Sequence, residues 1–597
     1  MADNGKNIII DFTEREESIY KPPGELAKLT VTGEVSIINT SETHRLWNIG
    51  LNLKSLEMID SELTPEMKVG ELNAQSKWFK SYEVKNEEIQ TKTSLKITEI
   101  IDTYYEKGTE INQALVKDHQ MPISFTISLE NTIESTISNI KLLKNIPEEF
   151  GTPIIDSPPQ GEARFDESSR NIVWDGFNLI SGGVQSLIIR IGLKPEQTEP
   201  YNTGNIEVDY LVPNLIRSKL SGITTALSDS MFSIDQGESL DEPGEWECTA
   251  EFENISDFVV ELKKVQVSQV TEGLKELVVE ETPNAQLFPE SSWKKDFKVK
   301  SGVVPKFSSF HDYLVIPKVT NKIIGHILYE AGVLPVASIA IEKILDPPAV
   351  SAYTKTPIKV SLLVTNTGSA VLNEFIFRDI IPRDNIPPEL NDILVYLNKA
   401  ELRSGVEREI NPNDINPESM HTLIVKLIGL STESGIRGLQ PEEEIMVTYP
   451  LKSYDPKPKI QYPCPLEVIA NVYPPGPPIK PPIFETEINI KYVRRRISAK
   501  KGQTPGSEPG EYIIPIIFEN KGEVLIENIT LKDIVPLNFS LLDWNPKDMV
   551  PERQETERGT ILIWKIDSAE PGKLIKFSYT IKGTGEYVRE ELEVHIG

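Results

Sequence analysis

The chain has 597 residues, 90 of them acidic against 62 basic, for a formal charge of −28. That length asks for several cores, and 25% charged with 39% hydrophobic residues is ordinary for folded protein. The negative balance excludes a general affinity for nucleic acid or anionic lipid, and two distant cysteines, Cys248 and Cys464, exclude a disulfide framework.

In chain order, the opening MADNGKNIIIDFTEREE holds a three-residue apolar run, too short for a secretory core. No run of about 18 apolar residues predicts a membrane helix. The cytoplasm is therefore the expected compartment, and the alternative is the cell surface for a chain that has lost its signal. NIIIDF is the first of five opening strands, and LKITEIID, MFSID, ASIAIEKILD and EINIKYVRR follow it. IEVDYLV, HILYEAG, LEVIANVYP and EELEVHIG close the later units. Between them apolar and polar residues alternate with period two, the pattern of strands with one buried face.

Three stretches repeat a spacing of sixteen residues: Asn131 to Pro147, Asn366 to Pro382 and Asn520 to Pro536. Asn366-Thr367-Gly368 and Asn520-Lys521-Gly522 are expected to supply the positive φ of a hairpin turn, and the prolines to end the second strand. Pro441 precedes Tyr449 by eight residues, as Pro571 precedes Tyr579. Trp174 and Trp564 fall at matching places and read as core anchors. A second class of unit shares one offset of 215 residues: Asn39/Asn254, Ser76/Ser291, Trp78/Trp293, Tyr82/Phe297 and Val84/Val299.

These repeats predict an all-β chain of five tandem immunoglobulin-like antiparallel β-sandwiches in an elongated arrangement. The expected boundaries are 1–90, 91–214, 215–333, 334–478 and 484–597, with an insertion at 383–421 in the fourth unit. Within that insertion LNDILVYLNKAEL, residues 390–402, is the best candidate for a short helix. YPPGPPIKPPIFE, residues 473–485, reads as a stiff polyproline spacer between the fourth and fifth units.

IAIEKILDPPAVSAYTKTPIKVSLLVTNTGSAVLNEFIFRDIIP resembles the opening half of the conserved-repeat domain, a family of unknown function abundant in archaeal and bacterial surface proteins. The resemblance rests on Lys343, the Asn366-Thr367-Gly368 turn, Asp379 and Pro382. The fifth unit matches at Asn520, Gly522, Asp533 and Pro536, and the second carries Asn145 where the Asp is expected. The resemblance implies an immunoglobulin-like sandwich used in tandem as a spacer or adhesive module, without catalysis.

Chemistry is sparse. Six scattered histidines form no close pair, and no phosphate loop, nucleophile elbow or zinc-protease helix occurs. The acidic stretch 228–245 offers Asp229, Asp235, Asp241 and Glu242 as candidate Ca²⁺ ligands, although their spacing matches no known calcium loop. In the insertion, Asp384, Glu389, Asp392, Glu401 and Glu407 are enough carboxylates for a carbohydrate-binding or hydrolytic module. The sharpest anomaly is YVRRRISAKKG, where Arg494, Arg495, Arg496, Lys500 and Lys501 stand together in an acidic chain. These five are candidate partner-binding residues, for an acidic protein surface or another copy of the chain, with a phospholipid headgroup as the lesser alternative. The other reading is an edge strand guarded by its own charges. The expected function is a non-enzymatic scaffold that binds a protein partner or itself, with no cofactor. The alternatives are a surface or envelope structural protein and an enzyme or glycan-binding module in the fourth unit.

Overall fold

The structure, a computed structural model, describes residues 5–85, 91–105, 109–112, 114–156, 158, 160–432, 435–472 and 478–597. It is built from strands, with two single 3₁₀ turns at Leu56–Met58 and Leu390–Asp392 among the described residues. Alternation drives this: Ile123, Phe125, Ile127 and Leu129 of Met121–Asn131 are buried, and the residues between them are not. The expected helix at 390–402 is absent. Leu394–Leu397 and Ala400–Glu401 form a hairpin, with Val395 and Leu397 buried at period two.

The second, fourth and fifth units share one plan and one register. The opening strands Leu95–Tyr105, Ile339–Asp346 and Ile497–Lys501 pair antiparallel with the strands that end at Asn131, Asn366 and Asn520. The chain then crosses to the opposite sheet and runs through Ile137–Asn145, Leu372–Ile381 and Ile526–Pro536. The Asn turn is thus a sheet-to-sheet crossover and not a hairpin. None of Asn366, Thr367, Gly368, Asn520, Lys521 or Gly522 has positive φ.

The asparagine acts instead through its side chain. Asn366 Nδ2 donates to Ala370 O (2.9 Å) and Leu439 O (3.0 Å), and its Oδ1 accepts from Gly368 N (3.0 Å). Asn520 repeats this with Val524 O, Ala569 O and Gly522 N, and Asn131 with Ser135 O, Leu179 O and Ile133 N. Asn39 and Asn254 make the same bonds in the first and third units. Five buried amides each satisfy backbone groups that the crossover would otherwise orphan. The glycines serve close approach: a Cβ on Gly368 would lie 2.3 Å from Val336 O, and one on Gly522 2.7 Å from Arg496 N.

The 215-residue offset is a register identity. Trp78 faces Ile37 as Trp293 faces Phe252, and Ser76 O accepts from Asn39 N as Ser291 O does from Asn254 N. The first and third units are nevertheless not separate bodies. Ser221–Leu227, inside the third expected unit, pairs with Leu46–Lys54 and completes the second sheet of the first. Pro317–Tyr329 lies between Ile8–Lys21, to which it is parallel, and Ile206–Pro213 of the second unit. A nine-stranded sheet therefore runs through the first three units. Among the described residues the buried apolar side chains form three clusters: one shared by the first and third units, one by the second and fourth that also takes in Tyr20, Ile323, Ile327 and Tyr329 of the joining strands, and one within the fifth.

Of the polyproline stretch, 473–477 lies outside the described residues. Its remainder is docked on the fourth sandwich: Pro478–Ile479 pairs with Leu466–Val472, and Leu466 and Phe484 exchange backbone hydrogen bonds. Asn489–Lys491 then pairs parallel with Ala349–Ser351, so the chain stays with the fourth sandwich to residue 491.

Candidate functional site

The residues of the repeated Asn-to-Pro unit place an ion pair in the core. Lys343 and Asp379 meet with side chains 1% and 0% exposed, Tyr449 donates its hydroxyl to the same carboxylate, and Lys343 Nζ also donates to Cys464 O (2.7 Å). In the fifth unit Lys501 Nζ reaches Asp533 Oδ1 at 2.6 Å, and Tyr579 Oη donates to Asp533 Oδ2 at 2.8 Å. Burial pushes both aspartates above the ordinary carboxylate range.

The second unit has the same pair with its polarity reversed. Lys144 occupies the Asp position, thirteen residues after Asn131, and Glu99 occupies the Lys position, at 2.6 Å with 0% and 1% exposure. The residue at the Asp position is therefore Lys144, not Asn145. Register supports the equivalence: Glu99, Lys343 and Lys501 all face the residue four before the Asn. Ile189 replaces the tyrosine, and the Lys144 ammonium sits instead over the Phe125 ring at 4.9 Å. Burial raises the Glu99 carboxyl and lowers the Lys144 ammonium.

Lys501 is thus a core residue and not part of a docking patch. Arg494, Arg495 and Arg496 are exposed on an irregular segment leading into the Ile497–Lys501 edge strand, and Lys500 is exposed within that strand. Arg495 Nη1 donates to Gly597 O at 3.3 Å. Nearby, Lys532, Ile534, Gln554, Arg558, Ile561 and Glu590 line a cleft of about 470 Å³.

The proposed calcium ligands do not converge. Asp235 lies within the Ser230–Glu238 strand, Asp229 just before it, and Asp241 and Glu242 at the following hairpin tip. Six residues of strand put Asp229 and Asp235 roughly 20 Å apart. Among the described residues no three metal-binding side chains are placed to hold an ion. The carboxylates of the insertion are likewise dispersed: Tyr462 donates to Asp384 (2.7 Å), Arg403 pairs with Glu401 (3.1 Å) and Lys426 with Glu407 (3.9 Å).

Sequence reading missed the polar centre of the shared sheet. Glu14 and Glu16 on Ile8–Lys21 are fully buried. Glu16 accepts from Ser94 N (2.6 Å), Ser94 Oγ (2.7 Å), Tyr210 Oη (2.9 Å) and Arg217 Nε (2.6 Å). Glu14 accepts from Tyr82 Oη (3.1 Å), Arg217 N (2.5 Å) and Ser218 N (3.1 Å). Each tyrosine reaches its carboxylate by lying across a glycine of the strand between: a Cβ on Gly33 would stand 2.1 Å from Tyr82 Cζ, and one on Gly325 1.9 Å from Tyr210 Cζ. The available signal was phase: Glu14 and Glu16 continue the inward series of Ile8, Ile10 and Phe12.

No protein-family model matches the chain, and no curated protein matches it. Among solved structures, the yeast delta-COP-I mu-homology domain complexed with a Dsl1 WxWxV peptide is 9% identical, covering 55% of this chain and 99% of that one, TM-score 0.27. The C-terminal domain of the Streptococcus agalactiae antigen I/II polypeptide BspA is 7% identical over 65% and 99%, TM-score 0.26. The major pilin SpaD of Corynebacterium diphtheriae is 11% identical over 54% and 77%, TM-score 0.20. At these scores none of them bears on function.

Proposed function

We propose that this chain is a non-enzymatic scaffold that presents sandwich edges and loops to a protein partner. One observation carries the reading. The buried lysines and carboxylates are consumed inside the fold, holding strands and units together. What faces outward includes strand edges, hairpin tips and the Arg494–Arg496 segment. Edges offer backbone hydrogen bonds to any added strand, and a basic segment on a −28 chain favours an acidic partner.

The test is affinity capture from native lysate with the whole chain and with an Arg494→Ala/Arg495→Ala/Arg496→Ala variant, followed by light scattering. A defined retained protein and a raised mass for the complex are expected. A strictly monomeric chain that retains nothing overturns the reading. A surface or envelope structural role is the second reading, supported by the conserved-repeat motifs of the fourth and fifth units; fractionation of the source cells separates the two.

A further inference from the structure

The third sandwich has an open position whose counterpart in the first is filled. The two sandwiches share a register: Ile10 faces Ile37, two residues before Asn39, and Phe232 faces Phe252, two residues before Asn254. The Ser230–Glu238 strand is thus the counterpart of Ile8–Lys21, with Ser233 in the place of Asp11 and Asp235 in that of Thr13. In the first unit the outer edge of that strand is covered by Pro317–Tyr329, parallel and in register from Ile8 to Tyr20. Thr320 Oγ1 and Lys322 Nζ reach Asp11 there, at 2.6 and 3.3 Å. In the third unit Ser230–Glu238 pairs, among the described residues, with Glu245–Asn254 alone.

The only charges on that edge are acidic, Asp235 and Glu238. Every other described edge strand of five or more residues carries a lysine, an arginine or a bulge in its pairing. SMFSIDQGE carries none of these, and no proline. Natural edges are blunted by such features, and an edge that keeps only acidic charge repels a second acidic strand and admits a basic one. Ser239 N donates to Glu245 O, which sets the phase: odd residues bond inward, and the backbone groups of Phe232, Ile234 and Gln236 point to the open side.

The outer face fixes the chemistry of what binds. Lys294 and Lys298 of the far strand neutralise Glu251, Glu245 and Glu247 from one flank. On the other flank stand Met231, Ser233, Asp235 and Gly237, with Asp241 and Glu242 at the hairpin tip. Among the described residues Asp235, Asp241 and Glu242 make no ion pair, and Ser233 and Gly237 leave room above the glutamates they face.

We propose that Ser230–Glu238 is a strand-addition site for an extended, basic segment of a partner protein, docking parallel to it as Pro317–Tyr329 docks on Ile8–Lys21. The segment carries a lysine or arginine opposite Asp235 and an apolar residue opposite Phe232. The acidic residues that resemble a calcium loop are the polar face of this site. The proposal rests on the scaffold reading and names one surface for it.

The probe is a fluorescent peptide PKVTNKIIG, which in the equivalent register sets a lysine opposite Asp235. Its anisotropy is titrated against the whole chain and two exposed-site variants: Gln236→Pro, which removes an outward N–H, and Asp235→Lys, which reverses the charge. Saturable binding, weakened at least tenfold by each variant while the thermal transition is unchanged, is the expected result. Absence of binding to the wild-type chain overturns the site, as does binding indifferent to Gln236→Pro. A wild-type chain whose mass doubles without peptide, and returns to monomer in Gln236→Pro, assigns the edge to a second copy and overturns the partner. A partner still captured by Gln236→Pro at full yield sinks this edge and leaves the scaffold reading standing.

Discussion

At the scale of single residues, the buried Lys–carboxylate pairs invite a double-mutant comparison. Removing one member of such a pair strands a charge in the core, at a cost of about 3–5 kcal/mol, whereas replacing both by apolar residues is often neutral. The fifth sandwich is the place to measure this, because its core is separate from the others. Lys501→Met is expected to lower its thermal transition sharply, and Lys501→Met/Asp533→Leu to recover most of the loss. Tyr579, left without its acceptor, sets the remaining deficit. A double variant no better than the single would show that the pair does more than neutralise itself. Lys343, Asp379 and Asp533 stand out in the string by position, but their pairing does not, and Lys501 is hidden altogether. Lys501 sits in a run of basic residues, and only its pairing with Asp533, 32 residues on, separates it from Lys500.

At the scale of strands, the crossover unit was readable because its determinants are local. The asparagine bonds two and four residues onward, and the proline follows at a fixed distance, so spacing alone exposes it. The strand exchange was not readable. Pro317–Tyr329 meets Ile8–Lys21 about 309 residues away, and nothing in either alternation names its partner. That joint gives two predictions. Gly325→Ala drives a methyl into the Tyr210 ring, and overpacking of this kind costs about 1–3 kcal/mol. Faster hydrogen exchange is expected across Pro317–Tyr329 and Ile206–Pro213, with exchange in the fifth unit unchanged. The second prediction concerns pH. Burial opposes ionisation of Asp11, but hydrogen bonds from Thr320 and Thr13 and the Lys322 ammonium hold its pKa below the ordinary value. A lowered folded-state pKa contributes stability that is present above the unfolded value of about 4 and is lost as pH falls through the folded one. The melting temperature of the wild type should exceed that of Asp11→Asn at neutral pH, and the gap should close in acid. A gap independent of pH would mean that the carboxylate does not hold this joint.

At the scale of the whole molecule, five repeats of one blueprint do not make five independent bodies. Folding units are set by shared burial and not by copied sequence. The first and third units bury one common cluster, Ser221–Leu227 completes a sheet of the first, and Pro317–Tyr329 stitches the first to the second. The second and fourth units are joined by Val336–Ala337 against Leu115–Val116, and their cores are continuous. The fifth has a core of its own. Calorimetry of the whole chain should therefore show the fifth unit melting alone, and Lys501→Met should move that transition and no other. The remaining units should melt as one envelope, and Gly325→Ala should shift that whole envelope and leave the fifth unit's transition in place. Five separable transitions would mean that the joining strands pair without coupling the bodies they join.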